Sequence, residues 1–480
     1  MPFSDLRQYI DKLESEGELQ RINAEVDWRL EMGAVSRRAM DLRTRAPLFE
    51  LIKDYPNSRV LALPCGPTQP IIQGRVSLSL GLPKKNPVLS TIDEFRKRLD
   101  QPIDPTEVTY GSCKENIQTG EMVNLLKFPV PLIHDGDGGR YIGTWHICVT
   151  KDPDTGWVNW GMYRVMMVSK NKAAINLNPT QHGGNIFFEK FERRGKAMPI
   201  AVAIGTEPVT SIVACTPLPF GADHAKVAGG LRESPVELVK CETSDLFVPA
   251  SAEIVIEGHV VPKERETEGP FGEYAGYFAG GKGLKPVIDV DCITHRNQPI
   301  LTMTNMGKPW HESDIVEGVT KSAMAKKLLE EKNIPVKSTY CFPGYLLVIS
   351  ARSAPGLLPK IVSTLKSARS RTHSYYTLIV GEDVDITNLE EVIWSLTTRM
   401  NPKTGIYVET NLGINALVPF LTPEEREGRY SSKAYFDATF PANWSKQYLS
   451  EHTKVVNFNE AWPKDIQDKV IERWSNYGYT

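Results

Sequence analysis

The chain lacks the features that mark membrane-spanning and secreted disulfide-rich proteins. None of its 480 residues lies in an apolar run of the ~18 residues that a transmembrane helix needs. Its seven cysteines are odd in number and widely scattered, which fits neither a disulfide framework nor a paired-cysteine metal site. The amphipathic N-terminus has no apolar signal-peptide core. These absences predict a soluble protein of a reducing compartment, and we expect a cytoplasmic location and no membrane partner.

The chain also lacks an excess of charge of either sign. Its 56 basic and 58 acidic residues leave a formal net charge of −2, so we expect no nucleic-acid partner. Hydrophobic residues make up 41% and charged residues 24%, the balance of an ordinary globular protein. A chain of this length typically forms about three domains of ~150 residues. The pattern of predicted helices and strands likewise divides the chain into three parts.

Residues 1–110 alternate between helix and strand patterns, which predicts an N-terminal α/β domain. Leu6, Tyr9, Ile10 and Leu13 recur at helical spacing, and Ser4 is the predicted cap of this helix. A second helix is predicted between residues 89 and 99. Short apolar runs predict strands at 48–52 and 59–63.

Residues 111–300 are dominated by short β-rich runs, which predict a β-barrel-like or sandwich domain. The segment Asp152-Pro-Asp-Thr-Gly156 is a predicted hairpin connection, because proline restricts φ and glycine permits a left-handed backbone. The predicted strands lie at 142–150, 157–168, 199–204, 211–215 and 287–293.

Residues 301–480 return to alternation and predict a C-terminal α/β domain with a partly parallel sheet. The aromatic tail of the chain is expected to pack on a neighbouring subunit or on its own domain. The predicted elements are a strand at 344–351, a helix at 355–367, a strand at 375–380 and a helix at 388–399. The tail aromatics are Trp444, Trp462, Trp474 and Tyr477.

The densest cluster of chemically useful residues is Glu268-Gly-Pro-Phe-Gly-Glu273. Proline stiffens this turn and the glycines let it fold back, so the two carboxyl groups can reach one cavity. Paired carboxylates in one pocket acquire different pKa values, as acid–base catalysis requires. The alternative is a surface turn with two solvated glutamates.

Three other polar segments could contribute to a site. Asn159 and Arg164 lie on a predicted strand, whereas His182 and His224 lie in loops. Asn159 and the two histidines form a possible nitrogen and oxygen ligand set for a divalent cation. The alternatives are polar decoration of a strand edge and hydrogen-bonded structural histidines.

In this order the segments resemble the UbiD family, whose members are reversible decarboxylases that use prenylated FMN. The resemblance continues at 306–309, 398–402 and 436–439 and covers nearly the whole chain. The segments that carry it are Asn159-Trp-Gly-Met-Tyr-Arg164, Gln181-His182, Leu218-Pro-Phe-Gly221 and Glu268-Gly-Pro-Phe-Gly-Glu273.

The resemblance implies a central split β-barrel that binds the flavin, between an N-terminal α/β region and a C-terminal α/β oligomerisation domain. It also implies that Mn²⁺, or another divalent cation, and K⁺ bridge the flavin phosphate to the protein. Arg164, Glu268 and Glu273 match the catalytic network of the family, and Asn159 and His182 match two metal ligands. The positions that match flavin contacts are Met162, Tyr163, Arg164 and Gln181.

The chain departs from the family pattern at two places. His224 stands where the family usually has a glutamate as third metal ligand; it either ligates the metal or points elsewhere, with water in its place. The lysine that often contacts the phosphate is replaced in the region 374–376, with no assigned substitute.

Asn159 and Arg164 are five positions apart, so a regular strand would send them to opposite faces. If both serve one site, we expect the strand to break near Gly161.

These residues predict a carboxy-lyase acting on a small, hydroxylated aromatic or heteroaromatic acid. His311 is the expected partner of a polar substrate group, and its alternative role is to cap the following helix. The expected partners are the acid, CO₂, a flavin prenyltransferase that supplies the cofactor, and further copies in a homodimer or larger homo-oligomer. The rival functions are a metal-dependent hydrolase using His182, His224 and a glutamate, and a non-catalytic flavin-binding barrel.

Overall fold

The computed structural model describes residues 3–278, 280–343, 346–367, 374–414 and 416–479. The predicted buried face of the first helix is confirmed. The predicted Ser4 cap is wrong, because the side chain of Asp5 accepts from Gln8 N at 2.8 Å. The N-terminal elements are α1 (Leu6–Ser15), β1 (Leu19–Ile22), α2 (Glu31–Asp41), β2 (Ala46–Phe49), β3 (Arg59–Ala62), α3 (Gly74–Ser79) and α4 (Val88–Arg98).

The central part contains thirteen strands and three α-helices among the described residues. A π-helical stretch, Ile186–Phe191, continues the short helix α5. The elements are β4 (Thr106–Val108), β5 (Asn116–Thr119), β6 (Tyr141–Gly143), β7 (His146–Lys151), β8 (Val158–Gly161), β9 (Val165–Met167), β10 (Lys172–Ile175), α5 (His182–Asn185), β11 (Met198–Ile204), α6 (Pro208–Cys215), α7 (His224–Arg232), β12 (Glu237–Lys240), β13 (Phe247–Pro249), β14 (Ile254–Glu268), β15 (Gly283–His295) and β16 (Ile300–Met303).

The predicted strand at 211–215 is wrong, because this run forms the second half of helix α6. Pro208 occupies the first turn of the helix, where its missing N–H costs nothing. The side chain of Glu207 caps the helix by accepting from Thr210 N at 3.2 Å. Nearly the whole run is buried, and a short apolar run has the same pattern in a buried helix as in a buried strand.

Nine strands form one curled sheet in the order β6-β9-β10-β15-β14-β11-β7-β8, with β5 paired to β15. Although β8 is the last strand of this order and β9 is the second, only residues 162–164 separate them in the chain. The two ends must therefore approach each other, and His146 Nε2 lies 3.1 Å from the carbonyl oxygen of Tyr163 across the gap. The expected barrel-like domain is confirmed as a half-barrel, and the expected break after Gly161 is where β8 ends.

The predicted hairpin connects β7 to β8. The backbone N of Asp152 donates to the carbonyl of Trp157 at 2.8 Å, which closes the turn. Gly156 has a φ of 75°, the left-handed conformation expected of a glycine at this place. The turn thereby fixes the pairing of Thr150 with Asn159, and so the position of Asn159 in the sheet.

The C-terminal part carries a five-stranded sheet in the order β17-β18-β19-β21-β20, in which the three central strands are parallel. The predicted partly parallel α/β arrangement is confirmed, while the predicted strand start at Gly344 lies outside the described residues. The elements are α8 (Glu312–Glu331), β17 (Val336–Phe342), β18 (Leu346–Ala351), α9 (Leu357–Ser367), β19 (Tyr376–Val380), α10 (Leu389–Arg399), β20 (Ile406–Gly413), α11 (Pro423–Gly428), β21 (Tyr430–Ala438), α12 (Lys446–His452) and α13 (Lys464–Glu472).

Strand β16 joins the N-terminal sheet, whose order is β1-β2-β3-β16, before the chain enters α8. The N-terminal sheet, the half-barrel and the C-terminal part therefore meet around residues 300–312. Within the described residues, no helix combines the length and the apolar composition needed to cross a bilayer. The four tail aromatics named above are each between 38% and 49% exposed.

Candidate active site

Glu268 is the last residue of β14, and its carboxylate is fully buried. Arg164 donates to both of its oxygens, from Nε at 2.7 Å and from Nη2 at 2.8 Å. Tyr141 Oη donates to the same carboxylate at 2.7 Å. Burial and the charge of Glu268 raise the pKa of Tyr141, so its hydroxyl remains a neutral donor. The two parallel bonds from a planar guanidinium fix the orientation of Glu268 as well as its distance.

Glu273 reaches the same guanidinium from the loop that follows β14. Its Oε1 contacts Arg164 Nη1, so all three guanidinium nitrogens meet carboxylate oxygens. Both glutamates are buried, and the side chain of Arg164 is 9% exposed. The guanidinium carbon lies 5.2 Å from the centre of the Phe271 ring. The structure therefore brings the two predicted carboxylates together across Arg164, in a buried site and not on a surface turn.

A partly buried acid–imidazole pair holds the loop between the two glutamates. Asp137 Oδ1 accepts from the backbone N of Gly272 at 2.9 Å, and Oδ2 lies 3.0 Å from His134 Nδ1. His134 Nε2 lies 2.9 Å from Asn305 Oδ1. Burial lowers the pKa of His134, but the hydrogen bond and charge of Asp137, together with the hydrogen bonds to Asn305 and Met306, outweigh it and the pKa is raised. Both ring nitrogens face acceptor oxygens, so a protonated His134 would balance the charge of Asp137, whose side chain has no exposed surface.

Asn159 lies in β8 and is 1% exposed. Its Nδ2 donates to Thr150 Oγ1 at 3.1 Å and to Tyr163 Oη at 3.3 Å. Tyr163 Oη also accepts from the backbone N of Gly183 at 3.0 Å, which ties the start of α5 to this strand. A Cβ at Gly183 would lie 2.7 Å from the Tyr163 ring, so this approach requires glycine. Within the described residues, Asn159 Oδ1 is buried without a hydrogen-bond partner.

His182 and His224 are the first residues of α5 and α7, and their ring centres lie 6.3 Å apart. Trp157 lies beside both, with ring centres 5.2 and 6.2 Å away. His224 is 2% exposed, and in the part of the chain that is described its Nδ1 has no hydrogen-bond partner. Burial, together with the nearby His182, lowers the pKa of His224 to about 3. Its imidazole is therefore neutral, as a metal ligand must be.

The two remaining positions that match flavin contacts lie next to this group in the chain. Met162 follows β8, and its Sδ lies 3.5 Å from Cys215 Sγ. Gln181 precedes α5, and its Oε1 accepts from Asn178 N at 3.2 Å. Arg429, from the C-terminal part, donates to Asn178 Oδ1 at 3.0 Å. A contact from the C-terminal part therefore reaches the loop that carries Gln181 and His182.

The side chain of His311 is engaged in hydrogen bonds and is not a free polar group. It is 1% exposed and caps α8, with Nδ1 accepting from Asp314 N at 3.4 Å. Its Nε2 lies 2.7 Å from the carbonyl oxygen of Tyr274. Burial lowers the pKa of His311 to about 4. Both ring nitrogens have partners, so the geometry matches the capping alternative, and we assign His311 no substrate contact.

Sequence patterns alone did not single out several residues at this site. Tyr141 and Asp137 lie far from the glutamates in the chain, and each is an ordinary strand or loop residue by pattern. Leu417, from the C-terminal part, lies 3.0 Å from the position that a Cβ at Gly280 would occupy. The same position is 3.8 Å from Arg164 Nη2, so Leu417 lies close to the arginine. The glycines around position 280 are a sequence signal that could have indicated such a close approach.

The fold and this cluster define an α/β protein of the half-barrel type with a buried arginine between two glutamates. Within the described residues, Asn159 Oδ1 and His224 Nδ1 are buried without a hydrogen-bond partner. Family models of 3-octaprenyl-4-hydroxybenzoate carboxy-lyase match the chain in order. The N-terminal domain matches at 10–95, the Rift-related domain at 106–309 and the C-terminal domain at 306–438. The chain belongs to the UbiD family of carboxy-lyases, as its motifs indicated.

Individual relatives match this chain over 95% to 100% of its length. Pyrrole-2-carboxylic acid decarboxylase of Pseudomonas aeruginosa is 33% identical over 99% of this chain and 98% of its own. The closed form of vanillic acid decarboxylase from Sedimentibacter hydroxybenzoicus matches with a TM-score of 0.87, 29% identity and 100% coverage of both chains. An evolved dimeric form of the UbiD-class enzyme HmfF from Pelotomaculum thermopropionicum, in complex with prFMN, matches with a TM-score of 0.78 and 28% identity, covering 95% of this chain and 100% of that one.

The hydrolase alternative required a glutamate beside His182 and His224. Across the described residues, no three His, Cys, Asp or Glu side chains lie close enough together to hold a metal ion. The two glutamates of the sequence motif are instead bound to Arg164. The family match identifies the chain as a carboxy-lyase and gives the hydrolase alternative no support.

Proposed function

We propose that this protein catalyses the reversible, non-oxidative decarboxylation of a small aromatic or heteroaromatic carboxylic acid with prenylated FMN. The observation that carries the proposal is the buried Arg164 held between the carboxylates of Glu268 and Glu273. The relatives' substrates, pyrrole-2-carboxylic acid and vanillic acid, support this substrate class. The prFMN held by a solved relative supports the cofactor. Our prediction of a hydroxylated ring is supported by the vanillic acid relative and not by His311, because His311 caps α8 and is assigned no substrate contact.

The donor set of this chain fits the cofactor and its cation. Asn159, His182 and His224 are the residues that would hold a divalent cation, Mn²⁺ or another metal, and K⁺ would be the second cation of the cofactor site. The buried, unpaired Asn159 Oδ1 and His224 Nδ1 support this assignment, because buried polar atoms normally have partners. Met162, Tyr163 and Gln181 are assigned to the flavin itself. Bound prenylated FMN supplies the electron sink that no side chain provides.

The protein side chains have distinct tasks in the proposed reaction. The bond between the ring carbon and the carboxylate breaks, CO₂ leaves, and the ring carbon receives a proton. We assign that proton to the carboxyl group of Glu273, which takes it back in the carboxylation direction. Arg164 and Glu268 hold Glu273 in place through the contacts described above. Phe271 and Leu417 cover the network and limit the access of water.

Assembly and supply of the cofactor also belong to this proposal. The exposed aromatic tail and the exposed Ile406, Tyr407 and Val408 of the edge strand β20 support association with further copies of the chain, as a homodimer or larger homo-oligomer. A flavin prenyltransferase is the expected supplier of the cofactor. The cytoplasmic location expected from the sequence remains a prediction.

Co-expression with a flavin prenyltransferase tests the proposal. We expect the purified protein to show a flavin absorption spectrum and the mass of prenylated FMN, and to release CO₂ from vanillate or pyrrole-2-carboxylate. Glu273→Gln should keep the spectrum and lose CO₂ release. Glu121→Gln, whose side chain is 98% exposed, is the matched control and should behave as the wild type. A flavin-loaded wild type that releases CO₂ from no aromatic acid would contradict the proposal.

A further inference from the structure

A small polar cavity lies beside the loop that carries Glu273. Tyr274, the next residue along the chain, lines the cavity on one side, and Glu317 and Lys321 of helix α8 line it on another. The cavity has a volume of about 10 Å³, which is the room that one water-sized group needs. It can therefore take a single oxygen-bearing substituent of a ligand, and not an aromatic ring.

His311 joins helix α8 to the loop of Glu273. Its Nδ1 accepts from Asp314 N at 3.4 Å at the start of the helix, and its Nε2 lies 2.7 Å from the carbonyl oxygen of Tyr274. Glu317 lies about one turn after Asp314 on the same helix. The contacts of His311 therefore hold the cavity next to the proposed proton donor.

Helix α8 also approaches the side of the site that we assign to the flavin. Cys215 Sγ lies 3.5 Å from Met162 Sδ. Burial raises the pKa of Cys215, and the charge of Glu317 raises it further. Glu317 is therefore close enough to act on a group that contacts Met162. The cavity thus lies near both the proton donor and the residues assigned to the flavin, where the substrate ring has to bind.

Glu317 has a carboxylate oxygen that is available to a ligand. Its Oε2 accepts from Lys321 Nζ at 2.5 Å, whereas within the described residues its Oε1 has no hydrogen-bond partner. The side chain of Glu317 is 36% exposed and that of Lys321 is 9% exposed. Burial lowers the pKa of Lys321, but the charge and hydrogen bond of Glu317, together with Cys341 and Tyr375, outweigh it and the pKa is raised. The lysine therefore stays charged, balances Glu317 and fixes its orientation.

The lining of the cavity carries little net charge near pH 7. The ammonium group of Lys321 cancels the carboxylate of Glu317. Burial raises the pKa of Asp314, which also lines the cavity, to about 8, so this carboxyl group is mostly protonated. Burial also raises the pKa of the Cys341 thiol, which remains neutral. A lining of this kind favours an uncharged hydrogen-bond donor such as a hydroxyl group, and not a second carboxylate.

We propose that Glu317 Oε1 accepts a hydrogen bond from a hydroxyl group on the substrate ring, and that Lys321 positions this carboxylate. The proposal rests on the proposed function and deepens it, because it names the residue that selects a hydroxylated ring. A ring with hydrogen or fluorine at the same position cannot donate, and it leaves the carboxylate oxygen desolvated and unpaired. Glu317 therefore determines specificity, whereas Glu273 acts on the chemical step.

The test compares a ring hydroxyl with fluorine, which is of similar size but cannot donate a hydrogen bond. The probes are 4-hydroxybenzoate with 4-fluorobenzoate, and 3-hydroxybenzoate with 3-fluorobenzoate, each titrated into the flavin-loaded protein by calorimetry. Glu317→Leu removes the acceptor. Since this change leaves Lys321 buried without its carboxylate, the double variant Glu317→Leu/Lys321→Met is measured in parallel. Glu331→Leu is the matched control, because Glu331 forms the same kind of ion pair with Lys327, at 3.3 Å, at the exposed end of α8.

For the wild type we expect the Kd of at least one hydroxy acid to be on the order of tenfold lower than that of its fluoro analogue, the size of one hydrogen bond to a charged acceptor. Glu317→Leu and the double variant should reduce this preference to about twofold or less, and their flavin content should match the wild type. Their affinity for the fluoro acids should stay within about threefold of the wild type. Glu331→Leu should keep the full preference for the hydroxyl group.

Four outcomes would overturn the inference. A wild type that prefers neither hydroxy acid would show that the cavity binds no ring hydroxyl. A preference retained in both Glu317 variants would show that another group is the acceptor. A loss of flavin in both variants would show a structural role. An equal loss of preference in Glu331→Leu would show a general effect of helix α8.

The same measurements separate this inference from the proposed function. If the wild type prefers a hydroxy acid but releases no CO₂ from any acid, the proposed function fails, and the preference of the variants still decides the role of Glu317. If the wild type releases CO₂ but shows no preference for a hydroxyl group, only the inference about Glu317 fails.

Discussion

Replacing Asp137 by asparagine should loosen the loop that carries both glutamates, and the effect should depend on pH. Asp137 accepts from Gly272 N at 2.9 Å, from His134 N at 3.0 Å, and contacts His134 Nδ1 at 3.0 Å. An amide can accept with one oxygen only, so at least one charge-assisted bond is lost. Such bonds contribute about 1.5–3 kcal/mol each. We therefore expect the variant to lose ~2–3 kcal/mol of unfolding free energy at low pH, and kcat to fall on the order of tenfold as Glu273 loses its fixed position.

The pH dependence follows from the raised pKa of His134. A group whose pKa is raised on folding contributes stability that is fully present below its unfolded pKa of about 6.5. That contribution is lost as the pH rises through the folded value. The stability difference between wild type and Asp137→Asn should therefore shrink from pH 5.5 to pH 9.

Urea unfolding at both pH values measures this difference, and hydrogen exchange of a peptide that spans 266–278 locates it. Asp135→Asn, an exposed aspartate two positions earlier, is the matched control and should change neither measurement. An equal loss of stability at pH 5.5 and pH 9 would refute the reasoning, because it would show that the charge of His134 does not contribute.

Three further predictions concern the site itself. Glu273→Gln should retain the flavin spectrum. Its turnover should fall on the order of a hundredfold or more, since the amide cannot deliver the proton. Deuterium incorporation at the product carbon at the wild-type level would show that Glu273 is not the proton donor. Tyr141→Phe removes one hydrogen bond to the buried Glu268 and should lower kcat about tenfold with flavin content unchanged, and an unaltered kcat would contradict the importance of this bond. His224→Ala should lower both metal content and flavin occupancy of the purified protein, whereas unchanged metal stoichiometry would show that His224 is not a ligand.

Local structure could be predicted from the sequence where a single residue type restricts the backbone conformation. The 152–156 hairpin formed because proline and glycine limit the turn to one geometry. Asn388 caps α10 through its side chain, at the start of the predicted helix. The composition of the short run 211–215 did not decide between strand and helix, because burial on all sides removes the periodicity that separates them.

The motifs also indicated which kinds of side chain form the candidate site, since carboxylates, arginine and imidazole are the groups that acid–base and metal chemistry need. Family membership followed from the order and spacing of these motifs. Which of these groups contact one another was not readable from the residues themselves, and only the resemblance implied that Arg164, Glu268 and Glu273 form one network. Arg164 and Glu268 are 104 positions apart, and a contact at that separation depends on the curling of the whole sheet.

The sequence by itself determined the local turns, the helix faces, the types of reactive groups and the family. Only the tertiary structure showed at which atoms Arg164 meets the two glutamates, that Asp137 holds their loop, and that His311 caps a helix. The physical reason is that local backbone preferences act over a few neighbouring residues. Burial, charge balance and hydrogen-bond pairing depend on which distant segments the half-barrel brings together.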